Sequence, residues 1–144
     1  MKTQNYKNHI RYYTPHHFVF YPVMLVLGLI CLYKTFNDTN SAIWFMMGCI
    51  IFCIAWLSFM LRQHYALGNQ NRIVRLEMRF RYYRLTKKNF EDIEQQLSLS
   101  QILALRFASD EELIALIDKT IKEKLSADEI KRSVKNWVPD YMRA

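Results

Sequence analysis

Apolar and polar positions divide this chain into stretches with different periods. Ser41 to Leu61 is a run of twenty-one uncharged residues (SAIWFMMGCIIFCIAWLSFML), and Phe18 to Tyr33 (FVFYPVMLVLGLICLY) is a run of sixteen. The longer run matches the ~20 residues an α-helix needs to cross the hydrocarbon layer of a bilayer. The shorter one reaches that length when His16, His17 and a snorkelling Lys34 are counted as its ends. Pro22 is expected in its first turn or two, where a missing N–H costs least. Between the runs, KTFNDTNS is a polar turn too short to fold alone, so the two helices should be antiparallel neighbours. A buried helix in a soluble core is the competing reading of either run alone.

Beyond Leu61 the pattern becomes periodic. Ile73, Leu76, Phe80 and Tyr83 form one helical stripe, and Arg72, Arg75 and Arg79 another, which predicts a long helix continuing from the second run and loosened at Gly68-Asn69. The last third carries three Ser-x-x-Glu/Gln signals: Ser98 with Gln101, Ser109 with Glu112, and Ser126 with Glu129. In each, the serine oxygen can accept an otherwise unpaired N–H of the first turn while the acid or amide reaches back. They predict helices near 99–107, 110–124 and 127–137, the last ended by Pro139. Apolar positions Ile102, Leu103, Leu105 and Phe107, then Leu113, Ile114, Leu116, Ile117 and Ile121, then Ile130, Val134 and Trp137 would form their core. Some fifty residues are marginal for an independent fold, so the tail should need the membrane, the linker helix or a second copy.

The fold expected is therefore all-α: a two-helix transmembrane hairpin, a long juxtamembrane helix and a small cytoplasmic helical tail. The boundaries are 1–17 for an N-terminal segment, 18–61 for the hairpin with spans at 18–34 and 41–61, 62–88 for the basic helix, and 89–144 for the tail.

Charge orients this arrangement. Residues 62–88 hold eight Lys and Arg against the single acid Glu77, whereas residues 89–144 hold eight against eleven acids, so the net +7 of the chain equals the excess in the short stretch after the second run. Lys2, Lys7 and Arg11 precede the first run, and the connecting turn has only Lys34. Cations are retained on the cytoplasmic side, which predicts a multi-pass protein of the cytoplasmic (inner) membrane with both termini inside. Aromatic residues mark the boundaries: Tyr12, Tyr13, Phe18, Tyr21, Trp56, Phe59 and Tyr65 inside, Tyr33, Phe36, Trp44 and Phe45 outside. Arg62, Arg72, Arg75, Arg79, Arg81 and Arg84 are expected to contact anionic lipid headgroups. Arginine interleaved with aromatics in RFRYYR is also a nucleic-acid pattern, but a positive-inside anchor accounts for the same charges without one.

Small residues suggest how the spans pack. Ser41, Gly48 and Ala55 recur every seven residues with Ser58 on the same face, and Gly28 and Cys31 offer a facing patch on the first span. The same positions would serve a homodimer seam. The interior of the spans holds no Asp, Glu, Lys, Arg or His, which argues against a channel or transporter built from this chain alone.

The chemistry-bearing residues have structural explanations. Cys31, Cys49 and Cys53 lie in apolar surroundings without neighbouring charge, as packing cysteines do. His16, His17 and His64 sit at the inner boundary, where metal or haem ligation and a pH response compete with a plain interfacial role. Asp110, Glu111 and Glu112 open a helix whose dipole favours acids there. There is no Gly-rich phosphate loop, HExxH or nucleophile elbow, and three glycines could hardly build one. No enzyme activity and no cofactor are expected.

The stretch QILALRFASDEELIALIDKTIKEKLSADEIKRSVKNW, with the opening MKTQNYKNH and the two apolar runs, resembles a family of small two-span bacterial membrane proteins of unknown function, of Bacteroidetes type. The resemblance covers nearly the whole chain and is most specific in LRFASDEE. It implies a bacterial cytoplasmic membrane and carries over no catalytic residue.

These readings converge on a non-enzymatic, membrane-anchored interaction or scaffold module. Candidate protein contacts are the exposed faces of 105–112 and 131–137, represented by Arg106, Phe107, Glu112 and Trp137. A homo-oligomer or another membrane protein is the expected partner. Two alternatives stay open: an accessory subunit of a transport or envelope complex, and a cofactor or metal protein using the interfacial histidines.

Overall fold

A computed structural model describes residues 4–9 and 13–141. Lys2, Arg11 and Tyr12, cited above for orientation, and the first three residues of the opening lie outside the described residues. Within the described residues all regular structure is helical, and β-type pairing is confined to an isolated bridge between Ala108 and Trp137. The chain divides into two compact units, one over 13–67 and the other joining 4–9 to 68–141.

The first unit holds α1 (Tyr21–Asn37) and α2 (Ser41–Met60), with π-helical turns at Pro15–Phe20 and Leu61–Ala66. Pro22 is the second residue of α1, in its first turn as expected, although π-helical structure already runs up to it from Pro15. The π turn explains how it is tolerated. Tyr21 N–H donates to the His16 carbonyl, five residues back, just before the proline ring would crowd the carbonyl four residues behind it. At the other end Asp38 is extended, and its Oδ1 accepts the Asn40 N–H at 3.0 Å, closing the short turn into α2. α1 packs on α2. Cys31 is buried, and a β-carbon built on Gly48 would stand 3.5 Å from its Cβ. The loosening expected at Gly68-Asn69 occurs instead at Leu61–Ala66, where Leu67 N–H donates to the Arg62 carbonyl.

The second unit is built from α3 (Leu67–Thr86), the single turn α4 (Glu91–Glu94), α5 (Leu99–Leu105), α6 (Asp110–Glu123) and α7 (Ala127–Ser133). Ser98, Ser109 and Ser126 stand at the N-caps of α5, α6 and α7, and their own N–H groups donate back to Gln101, Glu112 and Glu129 at 2.7, 3.3 and 2.8 Å. α6 ends at Lys124, which takes a left-handed φ of 53°.

The core includes Phe90, Ile102, Leu105, Leu113, Ile117 and Ile130, each at most 1% exposed. Val74, Met78 and Tyr82 of α3 complete it, with the Tyr82 ring 5.3 Å from that of Phe90. Spaced four apart, these three share one side of the helix. Thus the basic helix is a wall of the tail, and the compact unit begins near residue 68 instead of 89.

α7 is shorter than the predicted 127–137. Val134 turns extended, with ψ 122°. The N–H groups of Lys135 and Asn136 then donate to the Glu112 carboxylate, each at 3.0 Å, and Val138 N–H donates to the Phe107 carbonyl at 2.7 Å. These tertiary bonds replace the helical ones that α7 would have made further on.

Candidate functional site

Two carboxylates of the tail receive the arginines of α3. On one edge, Arg75 Nε donates to Glu94 Oε1 at 2.6 Å, Arg79 Nη2 reaches Oε2 at 2.6 Å, and Arg79 Nη1 lies 3.3 Å from Glu91. On the opposite edge, Arg81 and Arg84 both bind Asp110. Arg81 also donates to the carbonyls of Arg106 at 3.3 Å and Ala108 at 2.6 Å, so one guanidinium ties the end of α5 to the start of α6. The two edges flank the buried stripe, as positions 75, 79 and 81, 84 must when 74, 78 and 82 point inward at 3.6 residues per turn.

The electrostatics follow from this geometry. Burial opposes ionisation of Glu94, but the guanidiniums of Arg75 and Arg79 together outweigh it and hold its carboxyl below the ordinary 4.5. The hydrogen bond from Arg81 is the main cause holding Asp110 below its ordinary 3.8, against a smaller opposing effect of burial.

Four of the six arginines expected at lipid headgroups are therefore engaged with carboxylates of their own chain. Arg62 and Arg72 make no ion pair among the described residues.

The four residues expected as an exposed protein contact come together, with Phe107 buried and Arg106, Glu112 and Trp137 half-buried. Phe107 is 1% exposed and Leu105 is fully buried, so both are core residues, as their apolar pattern predicts, and not part of an exposed contact face at 105–112. The Phe107 and Trp137 rings stack with centroids 4.5 Å apart, and the Arg106 guanidinium lies 4.0 Å above Phe107 on its way to Asp140, which it meets at 2.9 Å. Glu112 accepts the N–H groups of Ser109, Lys135 and Asn136. The returning segment at 134–140 covers Phe107 and Glu112, where the apolar pattern predicts a continuing helix to 137.

Sequence reasoning also missed the role of the N-terminal segment. Tyr6 OH donates to Asp128 at 2.6 Å and accepts from Arg132 Nε at 3.1 Å. Gln4 Oε1 accepts Asp140 N–H at 2.6 Å, and the His9 ring lies 6.0 Å from those of both Phe107 and Trp137. Residues preceding the first apolar run thus dock on residues following the second. Polar residues in a short turn-forming segment offer no local cue to such docking.

In the first unit the small residues divide. Cys31 faces Gly48, and Ser58 Oγ lies 2.8 Å from His16 Nε2, whereas Ser41 is exposed. Gly28, Gly48 and Ala55 line an apolar groove of about 640 Å³ between α1 and α2, with His17, Tyr21 and Phe52 among its walls. His17 Nδ1 is 3.1 Å from the Tyr13 carbonyl. Cys49 and Cys53 are exposed free thiols that line a second groove. Among the described residues no three of His, Cys, Asp and Glu gather as a metal site would require.

The molecule is thus all-helical, with two helices long and apolar enough to cross a membrane and a helical tail closed by arginine–carboxylate clamps. The chain belongs to DUF6526, a family of unknown function, whose model matches residues 1–144. No curated protein and no solved structure matches it.

Proposed function

We propose that this protein is a non-enzymatic, membrane-anchored interaction module, fixed by a two-helix transmembrane hairpin in the cytoplasmic membrane of a bacterium. The observation that carries this reading is the exposure of the apolar helices. In the most apolar window of the helix that starts at Ser41 no residue is buried, and Leu25, Phe36, Phe45 and Phe52 are 58–79% exposed. A core helix of a soluble protein would have these side chains covered. Lipid tails cover them at no cost in water ordering.

The docking of residues 4–9 on the tail supports an even number of crossings, with both termini on one side. The cation excess after Leu61 makes that side the inner one. Arg62, next to the second apolar run and with no carboxylate partner among the described residues, takes the headgroup role. The test is alkaline carbonate extraction of membranes, combined with cytoplasmic reporters fused at each terminus. Retention in the pellet and two active reporters are expected. Release into the supernatant, or an inactive C-terminal reporter, refutes the hairpin.

A second reading takes support from the groove that Gly28, Gly48 and Ala55 line. An apolar cleft in a two-helix pair is the shape that receives a helix of another membrane protein, as in an accessory subunit of a transport or envelope complex. Replacing residues 18–61 by an unrelated hairpin abolishes activity under this reading and spares it under the first. A cofactor role for the histidines draws least support, since His16 is turned to Ser58. An absorption band or bound metal in the purified protein would revive it.

A further inference from the structure

α3 has two apolar faces on opposite sides. Val74, Met78 and Tyr82 enter the tail core, whereas Ile73, Leu76, Phe80 and Tyr83 are 55, 67, 68 and 51% exposed. The exposed four are spaced three, four and three apart, which is the a/d alternation of a coiled-coil seam. Four large apolar side chains along three turns form one contiguous strip, and such strips mark contact sites.

The charges along its edges indicate what covers it. With Ile73 and Phe80 at a and Leu76 and Tyr83 at d, the flanking g positions are Arg72 and Arg79 and the flanking e positions are Glu77 and Arg84. Arg79 and Arg84 are occupied by Glu94, Glu91 and Asp110 of their own chain. Arg72 and Glu77 are both exposed and have no ion-pair partner among the described residues, although every other arginine of α3 has one. In a parallel two-stranded coil the g residue of one helix meets the e residue five positions on in its partner. Glu77 is five positions on from Arg72. The pair is therefore complementary to itself, and a two-fold axis makes it twice. An antiparallel pairing would set g against g, arginine against arginine.

We propose that this face is the seam of a parallel homodimer, in which a second copy lays its own Ile73-Leu76-Phe80-Tyr83 strip along it and Arg72 of each chain reaches Glu77 of the other. The inference deepens the membrane reading and rests on it for the shared direction of the helices, because two copies inserted the same way present α3 in the same sense. It also rests on it for strength. Two heptads are short for a coil in dilute solution, and confinement to one bilayer raises the effective concentration.

The test uses the full chain reconstituted in liposomes, with its three native cysteines replaced by alanine and one cysteine introduced for oxidative cross-linking. Leu76→Cys and Phe80→Cys should give disulfide dimers, and Lys119→Cys, exposed on α6, should not. In the Leu76→Cys background, Arg72→Glu and Glu77→Arg should each slow dimer formation by about tenfold, and the double reversal should restore it. All these side chains are exposed, so circular dichroism should be unchanged.

Equal yields at positions 76 and 119, or a double reversal no faster than either single one, overturn the proposal. So does quenching by brominated lipid, at the protein density used for cross-linking, of a fluorophore attached to the Leu76→Cys variant, which would make lipid the occupant. Carbonate extraction of the same vesicles separates the two readings. A retained protein without cross-links defeats the seam alone, and a cross-linked protein that washes off defeats the anchor alone.

Discussion

Arg75 holds Glu94 through Nε and Oε1 at 2.6 Å, in a place where the glutamate side chain is only 5% exposed. An unpaired carboxylate there would lose several kcal/mol of hydration, and Arg79 on the second oxygen completes its neutralisation. Because the arginines are 46% and 39% exposed, the clamp is buried on the acid side only. Glu94→Gln should therefore destabilise the tail by roughly 1–3 kcal/mol, read as a lower midpoint of thermal unfolding in detergent at neutral pH. An unchanged midpoint would show that the clamp adds nothing beyond solvation.

The same clamp gives a pH dependence with a definite sign. Glu94 and Asp110 both have folded-state pKa values below their ordinary 4.5 and 3.8. Their contribution is complete above the unfolded values and is lost as pH falls through the depressed folded ones. Tail stability should thus decline from about pH 4.5 downward. The Glu94→Gln/Asp110→Asn variant should be less stable at pH 7 and show a flatter acid limb. A wild-type profile level down to pH 3 would refute the linkage.

Arg81 joins Asp110 to the carbonyls of Arg106 and Ala108, a geometry that needs the branched guanidinium. Arg81→Lys keeps the charge and loses the fork, at a cost of roughly 1–3 kcal/mol. Hydrogen exchange at the 107–110 turn should accelerate while the α7 N-cap at Ser126 keeps its protection. Uniform acceleration would instead indicate global loss of stability.

Lys124 sits at the C-cap of α6 in the left-handed region, which costs a side-chain-bearing residue about 1 kcal/mol. Lys124→Gly should raise stability by roughly 0.5–1 kcal/mol without altering function. A loss of stability would mean that the unfolded-state entropy of glycine outweighs the relief.

Gly48 and Gly28 look equivalent in the sequence and are not. A β-carbon at Gly48 meets Cys31, whereas one at Gly28 meets nothing within 4 Å. With Cys49 and Cys53 replaced by alanine, Gly48→Leu should open Cys31 to maleimide in detergent and Gly28→Leu should leave it protected. Equal protection in both variants would place the helix contact elsewhere.

Much of this architecture is local and was legible for that reason. The three serine caps declare themselves within four residues, because the bonds they make close over a single helical turn. The two apolar runs announce helices able to cross a membrane through length and composition alone. The start of helical structure ahead of Pro22 was harder to place. Its position depends on where helical hydrogen bonding begins, and the π turn upstream of it leaves no mark in the residue pattern.

By itself, then, the sequence determined the longer helices, the starts of the three serine-capped ones, the apolar runs and the excess of cations after the second one, since each depends on neighbours a few residues apart. Only the tertiary structure decided which arginines find carboxylates, since Arg75 and Glu94 are 19 residues apart and Arg81 and Asp110 are 29 apart. It also decided that Phe107 is covered by the returning chain and that Tyr6 meets Asp128 across 122 residues. The physical reason is common to all of these. A charge or ring has no preferred partner until folding brings one within reach, and which face of α3 is buried is settled by what packs against it.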